Sequence, residues 1–203
     1  YYVFTDGTTM RFYAVVITYQ IDYDHIVETK TDKYTYSYSA IPTEGKTANC
    51  DLTQADFTGA NAFLTVLPCV YEGTDLVSGT KYRNKTALGE SAGDVIEIKG
   101  DAMTVTFKGT GTIAITAKST GGSNTSSIAL RASDGSYVAA TYTGSTAGTT
   151  DVANVYQVTG TTDVVFTFTV NVAGTYTICS LTSLYARNTR ITGIVMTDTY
   201  VVE

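Results

Sequence analysis

The chain has 203 residues, of which 43 % are hydrophobic and 16 % are charged, with a net charge of −6. This composition excludes a disordered or collagen-like chain and fits one or two globular domains. The 13 Lys and Arg residues are scattered and leave no basic stripe, so we expect no nucleic-acid partner. No apolar run approaches the roughly 18 residues of a membrane-spanning helix, so we expect no membrane insertion.

Threonine makes up roughly a fifth of the chain, 16 residues are Tyr, and apolar positions recur at every second residue. Thr and Tyr are enriched in strands, and a period of two is typical of a half-buried strand. The sequence therefore predicts an all-β protein. The only helix candidate is residues 51–62, where Gly59 disfavours a helix.

Residues 1–46 differ from the rest of the chain because they hold eight of the 16 tyrosines. Residues 11–23 alternate as one long strand, and residues 26–31 and 33–39 follow as two shorter strands. We therefore predict a Tyr-rich N-terminal β extension over residues 1–46. A few strands cannot bury both faces alone, so the extension packs either on its own domain or on a neighbouring molecule.

Residues 47–203 alternate strand and turn signals at a spacing near ten residues, after a connection that contains Pro42 and Gly45. This spacing is typical of an antiparallel β-sandwich, and we predict a jelly-roll-like sandwich domain over residues 47–203. The clearest inward faces are Met103, Val105 and Phe107; Ile113, Ile115 and Ala117; and Val164, Phe166, Phe168 and Val170. Gly193 interrupts the last strand, residues 190–197, as a β-bulge would.

The chain begins Tyr1-Tyr2 without a methionine, as a processed exported protein or an excised fragment would. We therefore expect a secreted or cell-surface location. Cys50, Cys69 and Cys179 allow one disulfide with one thiol left over, or three buried thiols.

Five segments carry a resemblance to a known class of module. They are Asp56-Phe57-Thr58 and residues 96–105, 111–119, 173–178 and 190–196. In this order they resemble the β-sandwich accessory modules of secreted bacterial pectate lyases and other polysaccharide-degrading proteins. The resemblance covers about 155 residues and leaves out residues 1–46. It implies a carbohydrate-binding or spacer role and no catalytic residues. Because the chain has no Trp, Tyr would supply the aromatic platform for a sugar ring.

The best candidate binding residues lie close together near the C-terminus. Tyr185, Arg187, Asn188 and Arg190 place an aromatic ring beside planar groups with several hydrogen-bond donors, which is what vicinal sugar hydroxyls require. Asn124, in a polar loop, and Arg131 after it would complete this site if they lie at the same end of the domain. The alternative is an ordinary hairpin with solvated charges.

The sequence offers little for catalysis or for a cofactor. His25 is the only histidine and lies in a predicted turn, so no triad or zinc site is expected. Most carboxylates lie where turn propensity explains them, and we predict a protein that is not an enzyme. Asp56, Asp94 and Glu97 are conceivable ligands for a structural calcium ion, but their spacing does not require one.

Two functions follow from these features. The first is a non-catalytic extracellular carbohydrate-binding module whose partner is a polysaccharide. The second is a structural subunit of a bacterial surface filament or adhesin. In that case residues 1–40 would pair with a neighbouring subunit, because a strand that is apolar on both faces needs a second sheet to cover it.

Overall fold

The computed structural model describes residues 18, 27–47, 49–83 and 95–202 of the chain. Within these ranges 58 % of the residues lie in strands, which confirms the predicted all-β class. The helical elements there are three short 3-10 turns, of which two (Gln54–Asp56 and Gly59–Asn61) occupy the predicted weak helix candidate. Apart from Thr18, the predicted long strand 11–23 lies outside the described residues, as do His25 and Asp94.

Fourteen strands follow one another in the described part of the chain. They are β1 (Glu28–Thr35), β2 (Asn49–Asp51), β3 (Leu64–Val66), β4 (Val70–Glu72), β5 (Asp75–Arg83), β6 (Val95–Phe107), β7 (Thr110–Lys118), β8 (Thr125–Ala132), β9 (Ala140–Thr143), β10 (Ala147–Thr149), β11 (Tyr156–Thr159), β12 (Val164–Val170), β13 (Gly174–Ser180) and β14 (Thr189–Val202).

These strands form one antiparallel sheet that is nearly closed into a barrel. Its main path runs β10-β11-β8-β13-β6-β14-β7-β12-β9; β1 adds to β14, β3 and β5 add to β6, and β2 and β4 add to β5. The long strand β6 changes partner along its length, pairing with β14 through residues 96–98 and with β13 through residues 100–107. Gly100, with φ of +52°, lies where this change occurs. The antiparallel arrangement is confirmed, and a two-layered jelly-roll sandwich stays a prediction.

Alternate residues of the central strands fill the core, as the period of two requires. All three predicted inward faces on β6, β7 and β12 are buried. The rings of Tyr142, Tyr156 and Phe166 meet with centroids 5.8–5.9 Å apart. Tyr142 lies on β9 and Tyr156 on β11, near opposite ends of the strand order. The backbone N–H of Ala140 also donates to Tyr156 Oη at 2.7 Å. Where the barrel nearly closes, side-chain contacts therefore hold β9 and β11 together.

The described part of the N-terminal segment packs on its own molecule. Strand β1 is continuous where two strands were predicted, because it pairs with β14 without interruption from Glu28↔Val202 to Thr35↔Val195. Three tyrosines after or near its end stack on aromatic rings of the rest of the chain: Tyr34 on Phe63, Tyr36 on Phe57 and Tyr38 on Tyr82. The domain boundary near residue 46 and self-association through residues 1–40 stay predictions.

The predicted bulge at Gly193 is confirmed, since the register of β14 against β7 shifts between Ile191 and Gly193. A Cβ atom on Gly193 would lie 3.2 Å from Thr116 Oγ1, so the close approach of β7 also favours glycine here. Because a bulge bends its strand, the direction of β14 differs between Thr189 and Arg190, which precede the bulge, and residues 194–202, which follow it.

Thiol titration of the unfolded, unreduced protein is expected to find three thiols, because Cys50, Cys69 and Cys179 are all free. In the folded protein Cys179 should react slowest. Its side chain is buried, and burial raises the pKa of its thiol to about 12, whereas the thiolate is the reactive form. A titration that finds one thiol would contradict the structure.

Candidate functional site

A cavity of about 390 Å³ contains most of the polar residues that the sequence singles out. We call it the arginine pocket. It is lined by Arg83, Glu97, Thr120, Asn124, Ala186, Arg187, Asn188 and Arg190. Four of the six candidate binding residues therefore meet here: Asn124 from the β7–β8 loop, Arg187 and Asn188 from the β13–β14 loop, and Arg190 from β14.

The β13–β14 loop is held in place by hydrogen bonds to β8. Ser127 Oγ accepts the backbone N–H of Leu181 at 2.8 Å, and Thr189 Oγ1 donates to the carbonyl of Ser127 at 2.7 Å. Thr189 also shares a hydroxyl hydrogen bond of 2.9 Å with Ser180. Because these groups are largely buried, the loop that carries Arg187 and Asn188 begins and ends at fixed points.

Glu97 is the electrostatic centre of the arginine pocket. Arg190 lies directly opposite it on β14 and donates from Nε to Glu97 Oε1 at 2.8 Å. Arg83 Nε forms an ion pair with the same oxygen at 3.2 Å, and Asn188 Nδ2 donates to Oε2 at 3.1 Å. The side chains of Glu97 and Arg190 are only 6 % and 4 % exposed. The Glu97 carboxylate therefore holds the side chains of Arg190, Arg83 and Asn188 in the wall of the pocket.

Arg187 differs from the other two arginines of the pocket. Its side chain is exposed, and within the described ranges it makes no ion pair and no side-chain hydrogen bond. Its guanidinium group is therefore available to a ligand. Asn124 contributes an amide group to the pocket. Its Nδ2 donates a hydrogen bond of 3.3 Å to Thr120 Oγ1, and this bond orients the amide.

The structure places Tyr185 and Arg131 outside the arginine pocket. Tyr185 donates its hydroxyl to Gln157 Oε1 on β11 at 2.6 Å, so its ring belongs to the contact between the loop and β11. Arg131 lies six residues beyond Thr125 along β8, about 20 Å away at the usual rise of a strand. There it binds Asp101 at 2.5 Å.

The two described candidates for calcium ligands, Asp56 and Glu97, have other partners. Asp56 binds Lys46 Nζ at 2.5 Å and accepts the backbone N–H of Thr53 at 2.8 Å, while Glu97 is held by the arginines. Lys46 and Thr53 together hold the pKa of Asp56 below its usual range, against the effect of burial. Among the residues that the structure describes, no group of three or more His, Cys, Asp or Glu side chains could hold a metal ion.

Sequence reasoning missed Arg83 and gave Glu97 a different role. Arg83 ends β5, and β5 pairs with β6 at Lys81↔Glu97, so Arg83 reaches Glu97 diagonally across the two strands. One signal was present in the sequence: Glu97 interrupts the apolar run 95–98, all of which is buried, and a buried carboxylate requires a charged partner.

Comparison with models of known protein families and with curated protein sequences finds no match. Separately, none of the helical segments in residues 27–47, 49–83 and 95–202 has the length and apolar character to cross a bilayer.

Proposed function

We propose that this protein is a secreted, non-catalytic carbohydrate-binding module that takes an acidic glycan in the arginine pocket. The proposal rests on the accessible guanidinium group of Arg187. The same pocket is lined by Arg83, Arg190, Asn188 and Asn124. The resemblance to accessory modules of polysaccharide-degrading proteins supports the same class of ligand.

The charge of the pocket favours a uronic acid over a neutral sugar. Arg187 presents an exposed guanidinium group to the pocket, with no ion pair to any described residue. A guanidinium group binds a carboxylate through two parallel hydrogen bonds, and the amides of Asn124 and Asn188 can donate to or accept from sugar hydroxyls. Arg187 would contact the uronate carboxylate, and Asn124 the neighbouring hydroxyls.

The same geometry supports binding without hydrolysis. Glycoside hydrolysis uses a pair of carboxyl groups, one on each side of the bond that is cleaved. Glu97 is the one carboxylate among the described lining residues, and its two oxygens are occupied by Arg190 and Asn188.

Replacing Arg187 with Ala is expected to weaken binding of polygalacturonate by about tenfold, because a charge-assisted hydrogen bond contributes about 1.5 kcal/mol or more. Affinity electrophoresis in gels that contain polygalacturonate measures this change. The stability of the variant should be unaltered, since Arg187 is exposed and unpaired within the described ranges.

Lys30→Ala is the matched control, because it also removes one positive charge, from an exposed ion pair with Glu28 on β1. If the two variants migrate alike, binding depends on net charge and the arginine pocket is not the site. If wild-type protein is not retarded by polygalacturonate at all, the proposed function itself fails.

A further inference from the structure

A second surface combines an aromatic ring with an ordered ion pair. Tyr137, which follows the turn after β8, lines three adjoining cavities of about 570, 600 and 170 Å³. Arg131 also lines the cavities of about 600 and 170 Å³, and Asp101 lines the cavity of about 170 Å³. We call this surface the Tyr137 site.

The ion pair of the Tyr137 site crosses a strand. Arg131 lies on β8 and Asp101 on β6, and both strands pair with β13, where Thr177 lies opposite Arg131. Arg131 Nη2 donates to Asp101 Oδ2 at 2.5 Å, and this bond raises the pKa of Arg131 above its usual value. The two side chains remain 33 % and 41 % exposed. Their other donors and acceptors therefore stay accessible while the pair fixes their orientation.

The backbone at Tyr137 is equally well held. Tyr137 forms a β-bridge with Arg131, and its carbonyl accepts from Asn154 Nδ2 at 3.0 Å. The turn before it is closed by Asp134, whose Oδ1 accepts the N–H and the hydroxyl of Ser136 at 2.9 and 2.6 Å. A half-buried ring is thus positioned beside the ion pair by a rigid hairpin, which lowers the entropy cost of binding.

We propose that the Tyr137 site binds a neutral glycan. The face of a tyrosine ring packs against the C–H groups of a pyranose. A paired guanidinium and carboxylate supply one donor and one acceptor group, which match vicinal hydroxyls. The pair carries no net charge, so it offers a uronate no unpaired guanidinium group like that of Arg187 in the arginine pocket. The inference does not depend on the arginine pocket, from which Arg131 is about 20 Å distant along β8.

The test is affinity electrophoresis of the full chain in gels that contain soluble neutral polysaccharides: galactomannan, xyloglucan and β-1,4-galactan. Tyr137→Ala is expected to reduce retardation by at least one of them about three- to tenfold, the size of a lost aromatic contact. Tyr137→Phe, which keeps the ring, should restore it. Tyr71→Ala is the matched control, because Tyr71 is an exposed tyrosine on β4.

The proposal is overturned if none of the three neutral polysaccharides retards the wild-type protein. It is also overturned if Tyr137→Ala and Tyr71→Ala behave alike while thermal unfolding shows both to be folded. A parallel gel with polygalacturonate separates the two sites: Tyr137→Ala should leave retardation there unchanged, and Arg187→Ala should leave retardation by neutral polysaccharides unchanged.

Discussion

Replacement of Glu97 with Gln is expected to lower the free energy of unfolding by about 3–5 kcal/mol, the usual cost of removing one partner of a buried ion pair. Glu97 is 6 % exposed and forms an ion pair with Arg190, which is 4 % exposed. Without the carboxylate, the guanidinium groups of Arg190 and Arg83 both lose the counter-charge that Glu97 supplies. For a chain of this length we expect the midpoint of thermal unfolding to fall by roughly 10 °C.

Thermal and urea unfolding, followed by circular dichroism, measure this loss. The matched control is Glu28→Gln, which makes the same chemical change in an exposed pair with Lys30 and should change stability by less than about 1 kcal/mol. Equal effects of the two substitutions would mean that the buried carboxylate does not order the pocket. Loss of polygalacturonate binding is also expected in Glu97→Gln, because Arg190 and Asn188 lose their common partner.

Replacement of Phe166 with Ala is expected to cost about 3–5 kcal/mol, as for other fully buried aromatic residues. The cost has two sources. A cavity replaces the ring in the core, and Tyr142 and Tyr156 lose the ring that both of them contact, with centroids 5.9 Å away. Since those two tyrosines lie on β9 and β11, the substitution should loosen the barrel where side chains hold it together.

Urea unfolding measures the loss of stability in Phe166→Ala. Thr169→Ala on the same strand is the control, because Thr169 is exposed and should alter stability by about 0.5 kcal/mol or less. Tyr fluorescence and near-ultraviolet circular dichroism should change in Phe166→Ala before global unfolding, because the packing of Tyr142 and Tyr156 is disturbed. An unaltered spectrum with unaltered stability would contradict the aromatic contact.

The strands could be predicted because their pattern is local. In β12, Val164, Phe166, Phe168 and Val170 are buried and alternate with more accessible residues, and this needs only the period of two. The continuity of β1 could not be predicted, because it depends on the partner β14, which is more than 150 residues away. Asp32, a residue that disfavours strands, is accommodated because Lys108 Nζ and Tyr200 Oη both donate to its carboxylate.

The candidate site was predicted mainly where its residues are neighbours in the chain; Asn124, from a distant polar loop, is the exception. Arg187, Asn188 and Arg190 lie within four positions, so one loop brings them together. Glu97 joins them through the pairing of β6 with β14, and nothing in the local sequence specifies that pairing. Arg131 was grouped with them because it follows the Asn124 loop, but an extended strand carries it to the far end of β8.

The side-chain contact between β9 and β11 gives the barrel a seam. Within the described part of the chain these strands share no backbone ladder, so separating them breaks the Ala140–Tyr156 hydrogen bond and the ring contacts but no run of paired amides. Elsewhere in the sheet, as between β7 and β12 with seven residue pairs in register, separation breaks a cooperative set of hydrogen bonds. Local opening should therefore begin at the seam, at a free energy below that of global unfolding.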